Sequence, residues 1–251
     1  MAQPVQVSEK LYRLTEKIDE TPEVLTIRLA PEDGAEMGFD PGMFIMIAGI
    51  DKDNKRYLAK SFSIASDPAS AVMELYIVKR SHMGTALEHT SHFVDAGIGD
   101  SYYVKGPYGQ FRFIPSENRK VLFVAGGTGL APFVSMLRQI DRLKSGNDVD
   151  LLYSVKYPTE IIRKEELGQL AKSINLKATI TVTRPQPTDN WSGEKGHIDA
   201  EMIRRHSQDV AERACYICGP PAFVKAIKDA LVSLGVKPER ISADVWDAGS
   251  G

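Results

Sequence analysis

Val121-Leu-Phe-Val-Ala125 runs into Gly126-Gly-Thr-Gly129, and Leu130-Ala-Pro132 then leads into the amphipathic Phe133-Val-Ser-Met-Leu-Arg138. An apolar run, a glycine cluster and a segment of helical periodicity, in that order, read as strand, tight loop and helix. Gly126, Gly127 and Gly129 carry no Cβ, so the backbone there can come close to a partner. Pro132 suits the first turn of a helix, where a missing N–H costs little. The free N–H groups and the positive dipole end of that helix suit an anion, most simply a phosphate. The spacing is not the usual dinucleotide fingerprint, because Pro132 stands where a third glycine would follow Gly127-Thr-Gly129.

The chain after Lys120 repeats this alternation. Strands are expected at 121–125, 150–155, 177–182 and 214–218, and helices at about 131–143, 160–172, 199–207 and 221–234. A βαβ order of this kind implies a parallel sheet with helices on both faces. Ligands of such sheets sit at the carboxyl ends of the strands. The glycine loop, Ser154–Lys156 and Cys218-Gly-Pro220 all fall at that edge.

The first part of the chain is β-rich. Lys10–Lys17 and Val24–Leu29 alternate apolar and polar residues. Phe39-Asp-Pro-Gly42 is a turn, Met43–Ala48 a buried strand, and strands at Lys60–Ser66 and Met73–Lys79 follow. Gly84–His92 is the one helical candidate here; its start at Met83-Gly84-Thr85 reads equally as a second anion site or as a plain connector. Tyr102–Lys105 is a strand and Gly106-Pro-Tyr-Gly109 a turn. Several short strands at this spacing suggest a small barrel or sandwich. The polar stretch Pro115–Lys120 marks the domain boundary, giving domains at 1–115 and 116–251.

Bulk properties exclude several classes. A formal net charge of −2 over 251 residues gives no reason to expect nucleic acid or an anionic membrane as partner. No apolar run reaches the length of a membrane span, and the first ten residues lack the apolar core of a secretion signal. The two cysteines, Cys215 and Cys218, are too few for a structural zinc or an iron–sulfur cluster, and no metal is expected. Their odd offset in a strand sends them to opposite faces, which argues against a redox disulfide. A cytoplasmic location is expected.

Four landmarks in order carry a resemblance. Lys60-Ser61-Phe62-Ser63 resembles an Arg-x-Tyr-Ser flavin motif, Gly106-Pro-Tyr-Gly109 a Gly-Pro-x-Gly turn, Gly127-Thr-Gly-Leu-Ala-Pro132 a nicotinamide-nucleotide loop, and Cys218-Gly219-Pro220 a Cys-Gly-Pro motif. Together they resemble the ferredoxin–NADP reductase superfamily over essentially the whole chain. The resemblance implies an antiparallel FAD-binding β-barrel at 1–115, an NAD(P)-binding α/β domain with a parallel sheet at 116–251, and hydride transfer between them. It implies that Lys60 holds a flavin phosphate, though as a point charge without the arginine fork. It places Phe62 on the isoalloxazine face without a hydroxyl, and gives Ser63 a hydrogen bond to flavin N5. Ile77, Val78 and Lys79 line the flavin, and Met83, Gly84 and Thr85 contact its diphosphate. On the nucleotide side, the loop 126–129, with Gly127, Thr128 and Gly129, carries the pyrophosphate, and Thr128 lies beside the nicotinamide. Cys218, with Gly219 and Pro220, shapes the nicotinamide pocket rather than attacking covalently, because hydride transfer needs alignment more than a nucleophile.

Cofactor preference rests on Lys156 and Arg184, which follow strands where a 2′-phosphate would reach; solvated charges are the other reading. No acidic residue is clearly placed for a ribose 2′-hydroxyl, so NADPH is favoured, with NADH possible as a substitute. The segment Ile241–Trp246 resembles the family's terminal strand, which brings Asp244 and Trp246 to the flavin; for Trp246, packing between domains fits equally well. The expected activity is an FAD-dependent NAD(P)H oxidoreductase passing electrons to a ferredoxin or similar carrier protein. Two alternatives are an NAD(P)H:flavin reductase using free flavin and a non-autonomous flavin subunit of a larger complex.

Overall fold

The computed structural model describes residues 6–50, 56–79 and 88–245; Met83, Gly84, Thr85 and Trp246 lie outside them. The chain divides into two compact units, residues 1–113 with 134–139, and residues 114–133 with 140–251.

The first unit contains β1 (Ser8–Asp19), β2 (Val24–Pro31), β3 (Phe44–Ile50), β4 (Arg56–Ser63), β5 (Met73–Val78), α1 (Glu88–Asp95) and β6 (Ser101–Tyr108). Its strands pair antiparallel in the order β4-β3-β6-β1-β2-β5 and curl into a nearly closed barrel. The period of two that marks a strand decides the interior. Tyr12 and Leu14, Leu25, Ile27 and Leu29, Ile45 and Ile47, Met73, Leu75 and Ile77, and Tyr102 and Val104 form one buried cluster. Phe93 of α1 enters it, fully buried, and stacks on Tyr102 at 5.3 Å.

Three expectations change in detail. The stretch 43–48 is not buried throughout: alternation turns Met46 outward, where it is 39% exposed. In the described residues the helix is Glu88–Asp95, ending at Asp95 and not at the expected 92; the expected start at 84 lies outside those residues. Gly106-Pro-Tyr108 continues β6 instead of turning, because Tyr108 pairs with Phe44 of β3 and their rings lie 5.7 Å apart.

One charged group interrupts the apolar logic of this unit. Glu74 of β5 is only 3% exposed. Arg28 Nε donates to one of its oxygens and Arg138 Nη1 to the other, each at 2.9 Å. Arg138, in the 134–139 stretch, also donates to the Ala65 carbonyl at 2.9 Å, and Ser135 Oγ donates to the Ser66 carbonyl at 2.7 Å. A buried carboxylate needs such partners to offset its lost hydration.

The second unit contains β7 (Lys120–Gly126), α2 (Ala131–Leu143), β8 (Asp148–Val155), α3 (Lys164–Ser173), β9 (Leu176–Val182), β10 (Glu194–Lys195), α4 (Ala200–His206), β11 (Ala214–Gly219), α5 (Pro221–Ser233) and β12 (Ile241–Val245). All its strands pair parallel, in the order β10-β9-β8-β7-β11-β12. On one face Leu122, Val124, Cys215 and Ile217 pack with Met202 and Ile203 of α4 and with Val224, Ile227 and Leu231 of α5. On the other, Phe123 stacks on Phe133 of α2 at 4.9 Å and meets Tyr216 edge-on at 5.8 Å. Cys215 and Cys218 are both buried and unbridged, and alternation places them on opposite faces. β10 has only two residues and no periodic signature from which a strand could be read. No helix among the described residues is long and apolar enough to cross a membrane.

Candidate functional site

Strand order locates the candidate site. From β7 the chain proceeds outward to β8 and β9, then returns to lay β11 on the other side of β7. The crevice at such a reversal, outside the carboxyl ends of the strands, is where open α/β sheets hold ligands. Here it is flanked by the glycine loop after β7 and by Cys218-Gly-Pro220 after β11, because Ala125 and Cys218 are register partners.

The loop is a 3-10 turn, Gly127–Leu130, running straight into α2. Neither segment has an acidic residue in its first turn or a capping side chain, and Pro132 occupies the first turn of α2. The leading N–H groups of the turn therefore have no capping side chain, whereas the Ala131 N–H that opens α2 donates to the Thr128 carbonyl. Gly127 has φ +56°, and a Cβ added there would meet nothing within 4 Å, so the backbone faces open space. Gly129 is different: a Cβ would stand 2.4 Å from the Cys218 carbonyl oxygen. The absence of that carbon is what lets the turn sit against the end of β11. This is a cradle suited to a pyrophosphate, open at Gly127 and backed at Gly129. Thr128 between them is half-buried.

Cys218 is 1% exposed. Burial, and then the facing Asp244 carboxylate, push its thiol well above the ordinary value. The register pairs Cys218 with Asp244 of β12, whose own carboxyl is pushed up by burial against a hydrogen bond from the Val245 N–H. Both effects favour a neutral thiol, which fills space and does not act as a nucleophile. Gly219 is buried and Pro220 exposed at the start of α5. Phe223, which the sequence reading missed, packs over both glycines: added Cβ atoms at Gly126 and Gly219 would lie 3.2 and 2.6 Å from its ring. Its position in the first turn after Pro220-Pro221 is the only signal that points to it.

Farther along the same edge, the ends of β8 and β9 bring Lys156 and Arg184 together through the backbone. The Arg184 N–H donates to the Lys156 carbonyl at 2.9 Å, as Thr183 N–H does to Val155. Arg184 is exposed and Lys156 half-buried. The Glu160 carboxylate, also missed in the sequence, accepts the Lys156 N–H at 3.0 Å.

In the first unit, β4 carries the flavin candidates in register with β3: Lys60 opposite Ile47, Ser61 opposite Met46, Phe62 opposite Ile45 and Ser63 opposite Phe44. Phe62 packs against the barrel core and meets Phe93 edge-on at 5.4 Å. Ser63 is half-buried and Ser61 exposed. Ile77 is sealed in the core, which leaves only its backbone for a ligand. The Val78 carbonyl accepts Thr90 Oγ1 at 2.7 Å, and Lys79 pairs with Asp19. Lys79 also borders a cleft of about 490 Å³ with Lys17, Asp19, Pro22, Leu25 and Val94.

Residues 123–229 match the family described as oxidoreductase NAD-binding domain. NADH-cytochrome b5 reductase 1 of Ajellomyces capsulatus is 31% identical over 245 residues, covering 94% of this chain and 77% of that protein. The cytochrome b5 reductase domain of Ulva prolifera nitrate reductase superposes with a TM-score of 0.82 at 24% identity, covering 94% of this chain and 97% of that one. The flavohem-like FAD/NAD binding domain of nitric oxide dioxygenase from Vibrio cholerae gives 0.82 at 20% identity, covering 94% and 98%. These two structures establish a shared fold.

Proposed function

Because the chain belongs to the ferredoxin–NADP reductase superfamily of FAD-dependent NAD(P)H oxidoreductases, alongside the NADH-cytochrome b5 reductases, we propose that it takes reducing equivalents from NADPH and passes them singly to a separate electron-carrier protein. The observation that carries this reading is the packing of Gly129 on the Cys218 carbonyl at the reversal of strand order. Bound FAD supplies the chemistry of accepting a hydride and releasing electrons one at a time. The protein's residues bind and orient. Gly127, Thr128 and Gly129 offer N–H groups to the nucleotide pyrophosphate, and Lys156 and Arg184 hold the 2′-phosphate by charge-assisted hydrogen bonds. Cys218, Gly219 and Pro220 shape the nicotinamide pocket with a thiol that stays protonated. In residues 1–115, Lys60, Ser61, Phe62, Ile77, Val78, Lys79, Met83, Gly84 and Thr85 hold the flavin, and Ser63 donates to its N5. Asp244 and Trp246 border the reacting rings.

The relatives' names carry NADH, whereas Lys156 and Arg184 favour the phosphorylated nucleotide in this chain. Two cysteines cannot supply the four ligands of an iron–sulfur cluster, which supports a one-electron carrier outside residues 1–251 as the acceptor. Anaerobic mixing of the flavin-loaded protein with NADPH or NADH, read as loss of flavin absorbance, tests the reading. Faster bleaching by NADPH is expected. Equal or faster bleaching by NADH removes Lys156 and Arg184 from the assignment, and no bleaching with either overturns the function. Turnover with a b5-type haem protein or a [2Fe–2S] ferredoxin, but not with free riboflavin or FMN, is the expected acceptor pattern.

A further inference from the structure

The segment from Thr183 to Gly196 returns on itself, and a single side chain closes it. It leaves the sheet where Thr183 and Arg184 donate to the carbonyls of Val155 and Lys156, both at 2.9 Å. Within it, the Gln186 N–H donates to Asp189 Oδ2 at 2.7 Å and the Asp189 N–H to the Gln186 carbonyl at 3.0 Å. Asn190 then takes a left-handed turn at φ +48°. Trp191 lays its ring on Gly193, where any Cβ would lie 2.5 Å from it, and its Nε1 donates to the Glu194 carbonyl at 2.8 Å. Glu194 and Lys195 are β10, in register with Thr181 and Val182, the last residues before Arg184's turn. Thr181 Oγ1 donates to the Gly196 carbonyl at 2.7 Å.

Two residues are a short strand to hold by main-chain pairing alone. The Glu194 side chain supplies the remaining anchor: His206 Nε2 donates to its Oε1 at 2.7 Å and Arg205 Nη2 to its Oε2 at 2.9 Å, both from the last turn of α4. The other charged groups facing this pair are Glu201, 3.8 Å from Arg205, and Lys177 of β9, whose Nζ donates to the His206 carbonyl at 2.9 Å. Thr179 Oγ1 lies 3.3 Å from His206 Nδ1. Glu194 therefore accepts a hydrogen bond on each carboxylate oxygen, one from His206 and one from Arg205, while its carbonyl holds Trp191.

We propose that Glu194 is a positioning residue for the 2′-phosphate end of the nucleotide, fixing the 184–194 loop to α4 and so holding Arg184 beside Lys156. The inference rests on the assignment of Lys156 and Arg184 as phosphate ligands made above. Glu194 touches no ligand itself; it acts by cutting the conformational freedom that Arg184 would otherwise lose on binding.

The test is a double-mutant cycle on the flavin-loaded protein with adenosine 2′,5′-bisphosphate and AMP as probes, measured by calorimetry. Glu194→Ala and the shape-preserving Glu194→Gln should each weaken the bisphosphate about tenfold and leave AMP within about twofold. Arg184→Ala should lose at least as much, and the Arg184→Ala/Glu194→Ala double variant should bind no more weakly than Arg184→Ala alone. In steady state, Glu194→Gln should raise KM for NADPH about tenfold with kcat changed less than about twofold. In a Trp246→Phe background, the emission of Trp191 should shift to longer wavelength in Glu194→Ala. Losses that multiply in the double variant, or folded Glu194 variants that bind the bisphosphate as the parent does, overturn the proposal. If the parent protein binds the bisphosphate no more tightly than AMP, the phosphate-site assignment fails and this inference falls with it.

Discussion

Cys218 and Gly129 show how much a single residue can carry at this edge. Cys218 is buried and its thiol is held protonated, and burial also pushes Cys215 up to about 12. Both thiols should therefore resist alkylation in the native protein. A thiol assay near pH 8 should count none reacting within minutes and two after denaturation; a fast-reacting native thiol would contradict the burial. Gly129 and Gly127 separate two reasons for glycine. Gly129→Ala puts a methyl against the Cys218 backbone carbonyl, which cannot swing away, and should cost about 2 kcal/mol. Gly127→Ala has room but sits at φ +56°, and should cost about 1 kcal/mol. Thermal melts of the two variants should rank in that order. The sequence showed the cluster of glycines but not this division of labour, because local pattern does not say which strand end lies alongside.

At the scale of elements, the outline was readable and the contacts were not. Alternation of period two in Val24–Leu29 and helical periodicity after Pro132 gave a β-rich half, barrel or sandwich, followed by an α/β unit with a parallel sheet. The resemblance implied the barrel, and the fold has the barrel and the parallel sheet. What periodicity omits is pairing across the sheet. Met46 turns outward because its neighbours Ile45 and Ile47 fill the barrel, and Tyr108 stays in β6 because Phe44 is opposite it. Glu160, Glu194 and Phe223 were invisible for the same reason: each matters through a partner set by tertiary packing. Glu74 is the sharpest case. In sequence it is one polar residue on an alternating strand, yet in the fold two guanidinium groups hold it out of water. Glu74→Ala leaves Arg28 and Arg138 without their shared acceptor and should cost about 3–5 kcal/mol, measured by urea unfolding. Being buried, the interaction should change little between low and high salt.

For the whole molecule, the carboxylates set the acid limit. Hydrogen bonds from Lys144 and Ser173 lower Asp141, and one from His206 lowers Glu194; in Asp209, burial raises the pKa but bonds from Lys120 and Arg213 overcome it. Groups with depressed pKa values contribute stability that is present above their unfolded values and lost as pH falls through the folded ones. The decline should therefore begin near the ordinary values of 3.8 for aspartate and 4.5 for glutamate and steepen below them. Asp150 and Asp244 have the opposite sign: burial raises both, so their cost is present at neutral pH and eases as they protonate. Asp150→Asn should thus remove an opposing gain and steepen the upper part of the decline, and Asp209→Asn should flatten the lower part, in urea titrations at stepped pH. The two-residue β10 has one more consequence, for self-association. An outer strand exposes a row of unpaired backbone groups that another chain can adopt as a template. β10 covers the far end of β9 yet is too short to offer such a row itself, since Gly196 turns back to the Val182 carbonyl at once. Shortening the 184–196 segment would bare Thr181 and Val182, and the resulting protein should form strand-rich aggregates on mild heating, seen by light scattering before any loss of helical signal.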